Sequence, residues 1–159
     1  MSKKIKILFT DIDGVLYTSS HYHYLSLKRK PFRDKYGFLF DPKCIENFNE
    51  IIDKTNAKIV ISSTWRSAGL ETMKQLFLDR GIKGDIIGLT PISTIEDLYF
   101  CRGEEIENWL TFNGIPDKFV VLDDQPLGDG YDGWKGVVRT NMRSGITEEI
   151  KDKVINYLI

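Results

Sequence analysis

Only two cysteines occur in the 159 residues, Cys44 and Cys101, and they form no C-x-x-C pair. Neither a zinc site nor a redox motif is indicated, and both thiols are expected to be free and buried. Histidine is equally scarce. His21 and His23 sit two apart without a third ligand, so no metal is assigned to them. Acidic and basic residues nearly balance, at a formal net charge of −1. The chain as a whole therefore exerts no attraction on nucleic acid or membrane, and any polyanion has to meet a local patch. No apolar run approaches the ~20 residues of a membrane span. The N-terminal apolar run ends at Asp11, which is too short and too acidic for a signal peptide. Repeats and low-complexity stretches are missing too. These absences leave the expectation of a cytoplasmic, reduced, soluble protein with no membrane association and no evident stable protein partner. The length suits one domain, 1–159, able to bury a single core.

What is present is alternation. Short apolar runs rich in β-branched residues predict strands at Ile5–Thr10, Ala57–Ile61, Asp85–Leu89, Phe119–Leu122 and Val137–Thr140. Most are continuous apolar runs, as strands covered on both faces should be. Helical patterns fall between them. Asp41-Pro42 reads as an N-cap followed by proline at the first helical position, with Ile45, Phe48, Ile51 and Ile52 as its apolar stripe. A second helix is predicted from about Ser67 to Arg80, where Gly81 stops it, and a third from Glu104 to Phe112. A fourth begins after Thr147, whose hydroxyl can cap while Glu148 and Glu149 favour the positive end of the helix dipole. The sum is an α/β chain, a Rossmann-like three-layer α/β/α sandwich around a parallel sheet. The aromatic and basic stretch at about 17–40 fits neither period and reads as a flap inserted after the first strand.

In open parallel sheets ligands bind beyond the carboxyl ends of the strands, where the winding reverses. The residues closing the strands are Asp11-Ile12-Asp13-Gly14, then Ser62-Ser63-Thr64-Trp65-Arg66, then Asp123-Asp124. If the first strand is central and flanked by the second and fourth, the three groups share one crevice. Four carboxylates brought together repel, so such a site normally holds a cation. Oxygen ligands without His or Cys favour magnesium over zinc. Magnesium keeps waters and takes one or two carboxylates, which leaves one free to act as a nucleophile. Singly, each motif is as well read as a turn, a loop start or a helix cap. Jointly, and in this order after buried strands, they are the pattern expected of a phosphoryl-transfer site.

At these residues the chain resembles the haloacid dehalogenase superfamily. The first motif is Leu8-Phe9-Thr10-Asp11-Ile12-Asp13-Gly14-Val15, the second is Ile59-Val60-Ile61-Ser62, and the fourth is Val120-Val121-Leu122-Asp123-Asp124. The resemblance covers nearly the whole chain and implies a haloacid dehalogenase-like fold with a minimal cap. It implies Asp11 as the nucleophile that forms an aspartyl-phosphate, and Asp13 as acid toward the leaving oxygen and then base toward water. It implies a magnesium ion held by Asp11, the backbone carbonyl of Asp13 and a motif-four acid, Asp124, with Asp123 supporting it from behind. Ser62, with Ser63 and the amides of the following helix, would bind the phosphoryl oxygens. The family usually places a lysine in its third motif; here Arg102 precedes Gly103-Glu104-Glu105-Ile106, and otherwise it is a solvated arginine at a helix start. Lys118 begins a strand and belongs at the opposite edge. Asp13 argues against dehalogenation and for phosphate ester hydrolysis.

The substrate follows less directly. A small flap leaves the crevice open to bulky phosphorylated substrates, such as nucleotides, nucleic-acid ends or proteins. The flap mixes Lys28, Arg29, Lys30, Arg33 and Lys35 with Tyr22, Tyr24, Phe32, Tyr36, Phe38 and Phe40, suited either to phosphate contacts and base stacking or to packing of the rings on the body. The strings around Ser62 to Arg66 and Arg102 to Leu110 resemble the small domains of this superfamily in RNA repair proteins. Arg66 would then be a second phosphate anchor, and otherwise an ordinary surface salt-bridge former. A catalytically silent nucleic-acid-binding module and a protein phosphatase stand as alternatives, and the intact Asp11 and Asp13 favour an enzyme.

Overall fold

The computed structural model describes residues 2–92, 102–125 and 134–159. Its elements follow the chain as β1 (Lys6–Thr10), α1 (Ser19–Leu27), β2 (Arg33–Asp34), β3 (Gly37–Phe38), α2 (Pro42–Thr55), β4 (Lys58–Ile61), a 3-10 turn (Thr64–Ala68), α3 (Leu70–Asp79), β5 (Ile86–Leu89), α4 (Arg102–Asn113), β6 (Lys118–Asp123), β7 (Val137–Arg139) and α5 (Glu148–Leu158). Cys101 and most of the connection after β5 lie outside the described residues.

Five strands pair in parallel in the order β5-β4-β1-β6-β7. The chain winds outward from β1 through β4 to β5, then returns to the other side for β6 and β7. That reversal puts β1 between β4 and β6, as the motif argument required. Alternate side chains of β1 go to opposite faces. Leu8 packs with Phe48 and Ile51 of α2, Met73 and Leu76 of α3, and Val154 and Leu158 of α5. Ile7 and Phe9 pack with Ile106 and Trp109 of α4 on the other face. Helices therefore cover both faces, which gives the three α/β/α layers.

The caps are those the sequence calls for. The Asp41 carboxylate accepts from Lys43 N ahead of Pro42, and Thr147 Oγ1 accepts from Ile150 N. Gly81, at φ +72°, follows the last turn of α3. The predicted helix over Ser67–Arg80 is in fact split. Ser63 caps a 3-10 turn by accepting from Trp65 N, and Gly69, at φ +96° and ψ 159°, lets the chain restart as α3.

The 17–40 segment has more order than its mixed pattern suggested. Thr18 caps α1, and β2 and β3 form a short antiparallel hairpin. Tyr17 and Phe38 stack with ring centres 5.1 Å apart, and Tyr22 meets Phe32 edge-on at 5.0 Å. These rings are engaged with one another, while Lys28, Arg29 and Lys30 remain exposed. Arg80 ties the hairpin to the body, donating to Asp34 Oδ1 at 2.6 Å and to Phe38 O at 2.9 Å.

Candidate functional site

The backbone ladder runs one residue past the strand ends. Asp11 N donates to Leu122 O, Ser62 N to Thr10 O, and Thr140 N to Asp123 O, each at 2.9–3.0 Å. Sheet hydrogen bonding thus holds the acidic and hydroxyl residues in register at one edge. Asp11, Ser62, Ser63 and Asp123 are buried there, while Asp13, Arg102 and Asp124 are partly exposed.

Asp11 Oδ1 accepts from the Ile12 amide at 2.7 Å. Its Oδ2 lies 2.9 Å from Arg102 Nη1, which also reaches Asp123 Oδ2 at 3.1 Å. Arg102 opens α4, so the crossover delivers a guanidinium to the acidic edge, between two buried carboxylates. Asp123 has both oxygens engaged, since Oδ1 accepts from Gln125 N at 3.0 Å. Asp124 is different. Its Oδ1 is buried and has no hydrogen-bond partner. Oxygens of Asp11, Asp123 and Asp124 lie within 4.8 Å of one another, a group that can hold a metal ion. A donor set of oxygens only, with one buried acceptor left unsatisfied, fits a hard divalent cation.

Burial raises the pKa of Asp11 to about 6 against the pull of Arg102. Asp123 and Asp124 are also raised, first by burial and then by a neighbouring acid. Asp13 is raised by burial, with its bond from Trp65 acting the other way. That bond runs from Trp65 Nε1 to Asp13 Oδ1 at 3.0 Å.

Ser62 Oγ is a second buried atom without a partner, beside the acids. Arg66 is committed elsewhere. Its Nη1 donates to Ser62 O and Ser63 O at 2.9 and 2.8 Å, and its Nη2 pairs with Glu105 of α4. The guanidinium is buried and faces protein groups, with only Nε unpartnered.

Sequence reasoning missed Trp65, Glu105 and the close approach of Gly14 to Asp124. Glu105 adjoins the apolar positions Ile106 and Trp109, which is the available sign of burial. For Trp65 and Gly14 no local pattern exists, because their partners are distant in the chain. A cavity of about 580 Å³ opens beside Asp124, lined in part by Arg139, Asn141 and Met142.

A parallel sheet wound both ways from β1, with acids at the tips of β1 and β6 and a serine at that of β4, defines a haloacid dehalogenase-like hydrolase domain. A haloacid dehalogenase-like family hydrolase from Streptococcus pneumoniae shares the fold, with a TM-score of 0.52 and 14% identity over 96% of this chain and 90% of that one. The chain belongs to the family described as the HAD domain in Swiss Army Knife RNA repair proteins, whose model matches residues 7–150. No curated protein matches the chain. Among the described residues no helix is long and apolar enough to cross a membrane.

Proposed function

We propose that this domain is a magnesium-dependent phosphomonoesterase that works through an aspartyl-phosphate on Asp11, with nucleotides or nucleic-acid ends as substrates. The observation that carries the reading is the meeting of a buried carboxylate, Asp11, with two buried and unsatisfied oxygens, Asp124 Oδ1 and Ser62 Oγ, at the sheet's switch point.

Asp11 attacks phosphorus through Oδ2, while the Ile12 amide holds Oδ1. Asp13 gives a proton to the departing oxygen, then takes one from the water that opens the aspartyl-phosphate. Ser62 Oγ donates to a phosphoryl oxygen. Arg102 stabilises Asp11 and Asp123 and faces the same charge. Asp11, the Asp13 carbonyl and Asp124 would hold the magnesium ion, with Asp123 supporting them. When bound, magnesium offsets the charge of the acids and of the phosphoryl group. Arg66 acts through the loop by fixing the carbonyls of Ser62 and Ser63. The substrate class is supported by the name of the family, which places such domains in RNA repair proteins.

Phosphate release from p-nitrophenyl phosphate by wild type and Asp11→Asn, each with magnesium and with chelator, tests the chemistry. Release that needs both magnesium and Asp11 is expected, and undiminished release by Asp11→Asn would sink the reading.

A further inference from the structure

We propose that Trp65 is a positioning residue for the general acid and base, Asp13, and that the β2–β3 hairpin keeps its ring in place; this rests on the phosphohydrolase reading above.

Three contacts support it. The first is the bond from Trp65 Nε1 to Asp13 Oδ1, 3.0 Å long and spanning 52 residues of chain. An indole N–H can only donate. Oδ1 must therefore stay an acceptor, and the proton that Asp13 carries sits on Oδ2. One hydrogen bond thus selects which oxygen faces the leaving group and which faces the protein.

The second is the seat of the ring. Its backbone N donates to Ser63 Oγ at 3.2 Å, which fixes the residue at the start of the 3-10 turn. Phe40 packs against the indole with ring centres 5.6 Å apart, and the Arg80 guanidinium lies 5.9 Å from its centre.

The third is Gly37, in the hairpin. A Cβ there would come within 3.2 Å of the Trp65 ring at Cη2, so the hairpin backbone lies directly on the indole. Arg80 binds Asp34 on one strand and Phe38 O on the other, and fixes the hairpin over the ring. The flap is thereby linked to the proton-transfer group through a single side chain. Misplacing a catalytic group by about 1 Å can cost on the order of 10²-fold in rate, so such a link has kinetic weight.

The test measures kcat/KM, with magnesium, for p-nitrophenyl phosphate and phenyl phosphate. The proteins are wild type, Trp65→Phe and a variant with 3-benzothienylalanine at position 65, in which sulfur replaces the N–H and the ring keeps its shape. This second variant preserves packing if phenylalanine does not fold. Nitrophenolate leaves without an acid's help and phenolate does not. Both variants should lose about tenfold or more on phenyl phosphate and within about threefold on the nitrophenyl ester. Equal losses on both esters, or none, would overturn the proposal, because a ring that only packs affects both alike. Wild type without release, or Asp11→Asn with full release, would instead defeat the phosphohydrolase reading and this proposal with it.

Discussion

Gly14 and Asp124 are so close that a Cβ on Gly14 would lie 2.5 Å from Asp124 Cβ, Cγ and Oδ2. Gly14 also has φ +75°, in the left-handed region, and Thr140 Oγ1 donates to its carbonyl at 2.6 Å. Glycine at this point closes the turn after β1 and makes room for the motif-four acid at once. Gly14→Ala should cost about 1–2 kcal/mol for the backbone alone and displace the Asp124 carboxylate. Urea unfolding together with magnesium titration calorimetry checks this. A variant that binds magnesium like wild type would show that Asp124 needs no such clearance.

The acids predict a pH dependence with a definite sign. Burial raises Asp11 to about 6, and Asp13, Asp123 and Asp124 are raised too. Between the unfolded carboxylate value of about 4 and about 6, the folded protein keeps protons that the unfolded chain has released. The unfolded state then binds fewer protons, so in chelator stability falls as pH rises through this window. Magnesium binds the deprotonated acids and should offset the loss. Thermal melts should show a larger gain from magnesium at about pH 7.5 than at about pH 5. An equal gain at both values would mean that these acids do not hold the ion.

Arg66 and Glu105 form a buried pair, with side chains 5% and 3% exposed. Glu105→Gln leaves a buried guanidinium without its counter-charge, at an expected cost of about 3–5 kcal/mol. The double variant Arg66→Met with Glu105→Leu should recover much of that stability. It should not recover turnover, since the guanidinium that fixed the Ser62 carbonyl is gone and Ser63 O keeps only its bond from the residue-66 amide. Denaturation midpoints and phosphate release, read side by side, separate the two effects.

Arg102 contacts Asp11 and Asp123 together. Arg102→Ala should lower kcat/KM by roughly 10²-fold, the scale of removing one charge-stabilising group. Arg102→Lys keeps the cation and, because Nη1 alone makes both of these contacts, should stay within about tenfold of wild type. Alanine and lysine variants that behave alike would assign Arg102 a packing role instead.

Much of this was readable in advance because its causes are local. Apolar runs set β1, β4 and β6 within a residue or two, Asp41-Pro42 set the start of α2, and Thr147 that of α5. Once the sheet is parallel and wound both ways from β1, the strand ends bring Asp11, Ser62 and Asp123 to one edge. The unread parts depend on residues far apart. Arg66 looked free for phosphate because Glu105, its partner, lies 39 residues on. The break at Gly69 is the local exception, set by the tight turn that Ser63 caps just before it. The rings of Tyr22, Phe32 and Phe38 suited base stacking and packing equally in the sequence; they pack on one another and on Tyr17, a choice made only once α1 and the hairpin meet.

Arg80 carries a kinetic consequence. Two residues per strand cannot hold β2 and β3 together unaided, and the bonds from Arg80 to Asp34 and Phe38 fasten them to the end of α3. A hairpin fastened in this way travels with α3 and does not swing independently over the crevice. The hairpin's side of the entrance then keeps one position, and a substrate passing it does not wait for the hairpin to move. Added solvent viscosity would then slow capture of substrate without exposing an opening step that belongs to the hairpin.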